Sequence, residues 1–264
     1  MKKLVSVLIV NYNNQKYLKR CIQSVINQNY SPKEIIVVDD FSQDNSVEIL
    51  KNFKKDIKFM INKKRTKIGS HNQMQCFHKA FTKCKGEIIF FLDSDDYFKK
   101  NKLSRIVKFM NRNDDEKIVF DLPIFKFQNK IIKKKFKQKT MLFSNWPRFS
   151  PQSCICVRKN YALELFKNLK FFKYKDIWFD FRIAAYTYLK YQKLPHVKDY
   201  LTYYQQDENS ASKEFNFFSN KWWKRRNEAH EFLSFISKKT KTKNLVSLDY
   251  IITKIYINLF NLSN

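Results

Sequence analysis

Residues 86–97 spell GEIIFFLDSDDY, in which an apolar run from Ile88 to Leu92 stops abruptly at three carboxylates, Asp93, Asp95 and Asp96. A short run of this kind, bounded by turn residues, suits a buried strand. Acidic side chains crowded at its mouth repel one another unless a cation sits among them. Hard divalent metals such as magnesium and manganese take oxygen ligands, so the cluster is a candidate metal site. The same aspartates also suit a turn and the helix expected from about Asn101. Taken alone, the cluster does not choose between the two.

The rest of the first half settles the fold class. Strands are expected at Val5–Val10, Glu34–Val38, Ile57–Ile61 and Glu87–Leu92. Between them, Leu18, Cys21, Ile22 and Val25 recur at helical spacing, and Met74, Phe77, Phe81 and Cys84 form a second stripe. A third helix carries Leu103, Ile106, Val107 and Met110. This βαβ rhythm predicts an α/β domain with a mostly parallel, Rossmann-like sheet and flanking helices. In such a sheet ligands sit outside the carboxyl ends of the strands. Asn11-Tyr12-Asn13, Asp39-Asp40 with Ser42, and the cluster from Asp93 all fall there.

After Lys117 the rhythm changes. A lysine-rich hairpin is expected over Ile124–Phe136, helices over Tyr161–Leu169 and Asp176–Leu189, and a returning strand over Val197–Tyr204. From Phe215 the chain reads as helical. Its last stretch sets Leu245, Leu248, Ile252, Ile255 and Leu259 at heptad spacing behind a basic run, Lys238–Lys243. That tail is expected to pack on the main domain. Its alternative uses are a second subunit or an anionic membrane.

Composition removes several classes. Only two glycines, Gly69 and Gly86, occur in 264 residues, which excludes a dinucleotide fingerprint and a P-loop. Five cysteines without paired spacing suggest neither a disulfide framework nor a zinc knuckle, and fit a reducing cytoplasm. The formal net charge of +28 draws polyanions, acidic membranes or phosphorylated small molecules. The lysines are spread over the whole length, and the chain lacks zinc spacing or an aromatic RNA-binding pattern, so no nucleic-acid partner is expected. Met1-Lys2-Lys3 followed by LVSVLIV has no cleavage site after it and reads as a first strand. No apolar run reaches the roughly 20 residues that span a bilayer.

With these residues in place, VSVLIVNYNNQKYLKRCIQSVINQNYSPKEIIVVDDFSQDNSVEIL and GEIIFFLDSDDYF resemble the opening and the DxD segment of glycosyltransferase family 2, enzymes of the GT-A fold. The resemblance implies inverting transfer of a sugar from a nucleoside diphosphate, a UDP-sugar, to an acceptor hydroxyl, in the building of a surface glycan such as lipopolysaccharide or capsule. It implies a GT-A domain over 1–214, with a nucleotide-sugar-binding half over 1–116 and an acceptor-binding half over 117–214, and a helical appendage over 215–264. Partners would be the donor, a glycan or lipid-linked acceptor, and a second copy of the chain. Independently of the resemblance, the unpaired cysteines point to a cytoplasmic setting, and the basic run beside the apolar C-terminal stripe to a peripheral place on the inner face of the membrane through the C-terminal helices.

By the same resemblance, Asp39 hydrogen-bonds the nucleotide base with Tyr12 lining the same pocket, Asp93 holds the ribose, Asp95 ligates manganese or magnesium, and Asp96 supports that site. The general base falls on Asp176, six residues before Arg182, with Asp180 one turn later as its rival. Two positions depart from the family. His71-Asn72 stands where Arg-Asn is usual, and His71 would still meet a phosphate. Gln205 and Asp207 replace an arginine and a histidine, which puts donor-phosphate binding in doubt. An inactive relative serving as a binding subunit is therefore an alternative, as is a basic nucleic-acid-binding protein.

Overall fold

The computed structural model describes residues 2–128, 130–134, 146–169, 173–207, 215–242 and 246–262. Its first four strands are β1 (Val5–Asn11), β2 (Lys33–Asp39), β3 (Lys58–Ile61) and β4 (Ile88–Asp93), parallel in the order β3-β2-β1-β4. Helices α1 (Gln15–Ile26), α2 (Ser46–Asn52) and α3 (Gly69–Phe81) make the crossovers. Successive side chains of a strand point to opposite faces. Val7 and Ile9 of β1 therefore join the core with Leu18 and Ile22 of α1, while Leu8 and Val10 join the core with Met74 and Phe77 of α3. All four expected strands and the apolar stripes of these helices are present, and the stripe residues are buried.

Beyond β4 come β5 (Tyr97–Phe98), α4 (Lys102–Arg112), β6 (Ile118–Phe127), β7 (Lys130–Lys133), β8 (Ile155–Arg158), α5 (Lys159–Asn168), α6 (Phe179–Tyr191) and β9 (His196–Gln206). The full path is β3-β2-β1-β4-β8-β6-β9-β5, with β7 on β6. The sheet is mixed rather than mostly parallel, because β8 runs antiparallel to both its neighbours and β5 and β7 are antiparallel to theirs. Apolar periodicity separates strand from helix but carries no strand direction, so this part of the expectation needed the tertiary structure. The β6–β7 hairpin is as expected as far as residue 134; the rest of that reading lies outside the described residues.

The part of the fold beyond β4 is pinned by two buried cations. Lys102 and Asp121, both fully buried, meet at 2.6 Å. The same ammonium donates to the Ser153 carbonyl at 2.6 Å, and the pair joins α4 to β6 and to the turn before β8. Arg182 is also fully buried. Its guanidinium donates to the carbonyls of Leu169 at 2.9 Å, Lys173 at 3.0 Å and Ile177 at 3.2 Å, and to that of Tyr174. Carbonyls aimed at Arg182 cannot also extend a helix, and Tyr174 has φ +61°. Helix α6 consequently starts at Phe179, three residues later than expected from Asp176, and Asp176 lies on the preceding turn.

Helices α7 (Asn220–Thr240) and α8 (Leu248–Leu259) close the chain. Phe232, Leu233 and Ile236 of α7 enter the main core beside α6. Trp223 of α7 stacks on Tyr256 of α8 at 4.4 Å between ring centroids. The heptad stripe does not pack on the domain: Leu248, Ile252, Ile255 and Leu259 are each more than half exposed, and Leu245 lies outside the described residues.

Gly86 sits where the chain passes β1 before entering β4. A Cβ there would lie 2.5 Å from the backbone nitrogen of Ser6 and 2.9 Å from the carbonyl carbon of Val5, closer than real contacts allow. Gly86→Ala should therefore cost about 1–3 kcal/mol by forcing β1 and β4 apart. Urea denaturation checks it, and an unchanged midpoint would show that the strands have room to shift.

Candidate active site

The carboxyl ends of β1, β2 and β4 open into a cleft of about 520 Å³. Its polar lining includes Tyr12, Asp40, Arg65, Gln73, Asp93, Asp95, Asp180 and Arg225, and its apolar walls include Trp146, Phe149, Trp178 and Phe181. Asp93 is oriented by Gln73 of α3, whose Nε2 donates to Asp93 Oδ1 at 2.8 Å. Asp96 lies behind the cleft, fully buried, where its Oδ1 accepts the Gln205 N–H at 2.8 Å. The three carboxylates expected to act together are thus split: Asp93 and Asp95 face the cleft, and Asp96 ties β9 to the end of β4.

Burial raises all three, most strongly Asp93 and Asp96, and the repulsion of Asp95 adds to both. Asp95 is pushed up to about 6 by burial, with Asp207 repelling it and Arg20 opposing the rise. The phenol of Tyr204 is raised by burial and by Asp96, Asp180, Asp95 and Asp93 in turn, which marks how closely these charges converge. A cation among them would relieve that repulsion.

Tyr12 is exposed at the rim, and the guanidinium carbon of Arg65 lies 3.2 Å from the centroid of its ring. Arg65 is held there by Asp40, Nε to Oδ2 at 3.1 Å. Asp39 is fully buried and does not line the cleft. It accepts from Asn11 Nδ2 at 2.7 Å, from the Ser42 N–H at 2.9 Å and from Ser42 Oγ at 2.7 Å, and so braces the loop beneath Tyr12. His71 is buried on α3 with its Nε2 3.0 Å from Gln75 Nε2; Gly69 and Gln73, not His71, reach the cleft from that helix.

Asp180 lies in the first turn of α6, where the positive end of the helix dipole favours its charge, while burial raises its carboxyl and Arg225 opposes the rise. Asp176 is half-buried and is not part of the cleft wall, although Arg225 is within electrostatic reach of both. The departures at 205 and 207 pair with each other: Gln205 Nε2 donates to Asp207 Oδ1 at 3.0 Å, and Tyr17 donates to the same carboxylate. Arg20 reaches Gln205 Oε1 and the Asp95 carbonyl, each at 3.1 Å, from α1.

The sequence profile described as Glycosyl transferase family 2 matches residues 6–174, well over half of the chain. The chain belongs to glycosyltransferase family 2. This family 2 transferase is 36% identical over 128 residues to an uncharacterized glycosyltransferase, alr2836, of Nostoc, an alignment that takes in 48% of this chain and 39% of that one. It is 32% identical over 148 residues to Escherichia coli WfaP, named as a UDP-Glc:alpha-D-GlcNAc-diphosphoundecaprenol beta-1,3-glucosyltransferase, covering 56% of this chain and 54% of the relative. The matches thus span about half or less of these relatives' length. Among solved structures, S. aureus TarS 1-349 in complex with UDP-GlcNAc superposes with a TM-score of 0.64 at 19% identity, over 98% of this chain and 72% of that one. The transferase therefore has the GT-A fold, a mixed sheet with flanking helices.

Among the residues missed from the sequence, Arg225 matters most. In sequence the run Trp222-Trp223-Lys224-Arg225-Arg226 suits stacking on a sugar, a place at a lipid headgroup layer or, most often, the anchoring of a helix to its own core; Trp223 and Arg226 do the last, through Tyr256 and Asp249. Arg225, between them, turns into the cleft. Helical spacing from Trp223 to Arg226 would have put Arg225 on a different face; nothing local told which face met the site.

Glu228, one turn after Arg225, accepts the Asp176 N–H at 2.8 Å, and burial pushes its carboxyl up to about 7 from 4.5. The folded state keeps this proton where the unfolded chain releases it. The resulting stability is full below 4.5 and is lost as pH rises through about 7. Glu228→Gln should flatten that dependence and raise stability at pH 8 by about 1–2 kcal/mol. Thermal melts of both proteins from pH 4 to 8 check it; parallel curves would contradict it.

Proposed function

We propose that this chain moves a sugar from a nucleoside-diphosphate donor, a UDP-sugar, onto an acceptor hydroxyl with inversion at the anomeric carbon. The observation that carries the reading is the meeting of Asp93 and Asp95 with the guanidiniums of Arg65 and Arg225 in one cleft at the carboxyl rim of the parallel strands. Carboxylates suit the ribose and a bridging cation, and guanidiniums suit phosphate oxygens. In this reading Tyr12 walls the base pocket with Asp39 bracing it from behind, and Asp93 holds the ribose. Arg65 and Arg225 take the phosphate contact expected of His71 and the charge missing at Gln205.

The donor set around Asp95 suits magnesium or manganese, which keep waters and share substrate phosphates instead of needing an all-protein cage. Among the described residues, no three His, Cys, Asp or Glu side chains form such a cage. Asp95 would hold the ion, with Asp93 beside it and Asp96 supporting the strand end. When bound, a divalent ion neutralises charge developing on the leaving diphosphate.

The base must face the sugar from the acceptor side. Asp180 lines the cleft at the start of α6 and is our choice; the spacing to Arg182 that the family resemblance rests on favours Asp176, the second reading. The acceptor is a glycan or lipid-linked saccharide, in keeping with the polyprenol-linked sugar in the name of WfaP, and the work belongs to surface-glycan assembly on the cytoplasmic side.

Calorimetry with UDP, with and without manganese, tests the donor reading: binding that strengthens with metal supports it. Metal-independent binding without transfer points to an inactive relative. Asp95→Ala should lower turnover by orders of magnitude while the fold persists. Asp180→Asn should keep UDP affinity and lose roughly 10²–10⁴-fold in transfer, with Asp176→Asn losing much less. The reverse order would make Asp176 the base, and full activity in both would remove the pair from the chemistry.

A further inference from the structure

Helix α8 is amphipathic with its faces exchanged. Toward α7 it turns Asp249 and Thr253 together with Ile257, and all three are buried. Asp249 pairs there with Arg226 and lies 3.4 Å from His230 Nε2. Toward solvent it turns Leu248, Ile252, Ile255 and Leu259, which fall in one row at 3.6 residues per turn, with Ile251 beside them. A surface helix ordinarily shows water its charged side, and a contiguous exposed apolar row marks an interaction surface.

The patch extends at both ends. Ring contacts run from Phe260 through Tyr256, Trp223 and Trp222 to Phe217 and Phe218, which are 72% and 63% exposed. At the other end α7 finishes with exposed Lys238 and Lys239, followed by exposed Lys241. Two of the three acidic side chains of these helices are buried, Glu228 on the Asp176 N–H and Asp249 on Arg226, and the third, Glu231, is exposed but paired with Lys254. What remains outside is apolar surface flanked by positive charge and aromatic rings.

We propose that this face of α8 seats the protein on an anionic phospholipid surface, with the apolar row in the headgroup–acyl boundary and the lysines against headgroup phosphates. A second copy of the chain would meet the patch with the same surplus of cations, and the +28 charge makes that approach repulsive. The inference goes beyond the transferase reading and does not depend on it. It gives α7 two faces of use, one lending Arg225 to the cleft and the other carrying α8.

The test is flotation of the full chain with vesicles of phosphatidylcholine alone and of phosphatidylcholine with phosphatidylglycerol. The parent should float with the anionic vesicles at low salt and about tenfold less at high salt, since salt screens the attraction. The double variant Ile252→Glu, Ile255→Glu should lose flotation by at least about tenfold with an unchanged melting temperature. Lys238→Glu, Lys239→Glu, Lys241→Glu should lose it as well, which keeps the test decisive if the first variant fails to fold. A parent that stays at the bottom with anionic vesicles at low salt overturns the proposal, as does flotation that survives both variants. So does light scattering that finds a dimer in the parent and a monomer in the isoleucine variant, because a second copy then covers the face.

Discussion

Three carboxylates within four residues at the end of a central strand are an electrostatic liability that the surrounding structure manages. Asp93, Asp95 and Asp96 cannot all keep water in so narrow a place: burial raises each of them, and the repulsion of Asp95 adds to Asp93 and Asp96. The fold answers by giving them separate duties. Asp96 is taken inside and becomes a backbone acceptor for β9. Asp93 is steadied by Gln73, and Asp95 is left at the cleft, where a ligand with a cation can reach it.

The chain beyond these carboxylates completes the arrangement with fixed positive charge. Lys102 and Asp121 anchor α4 to β6 inside the core, and breaking such a pair by removing one partner is far costlier than the pair is worth. Arg182 gathers the carbonyls of the loop ahead of α6, so the helix begins where Asp180, and not Asp176, enters the cleft wall. Arg225 then arrives from α7 to face Asp180. The C-terminal helices thus have two sides: α7 brings Arg225 to the cleft wall, and α8 turns its apolar row to solvent.

The chain's own sequence was enough for the α/β rhythm of the first half, the four parallel strands, their buried stripes and the polar rim at Tyr12, Asp40 and Asp93. Those features follow from local periodicity and from the rule that strand carboxyl ends hold ligands, and both are written within a few residues of each other. The tertiary structure alone decided the antiparallel entry of β8, the late start of α6, the turning away of Asp39, Asp96 and His71 from the cleft, and the arrival of Arg65 and Arg225 in it. Each of these depends on which distant groups share a desolvated space. Carbonyls as much as eight residues apart, Leu169 and Ile177, converge on Arg182, and a helix more than two hundred residues from Tyr12 completes its cleft. A sequence records which side chains carry charge; only packing determines which of those charges meet.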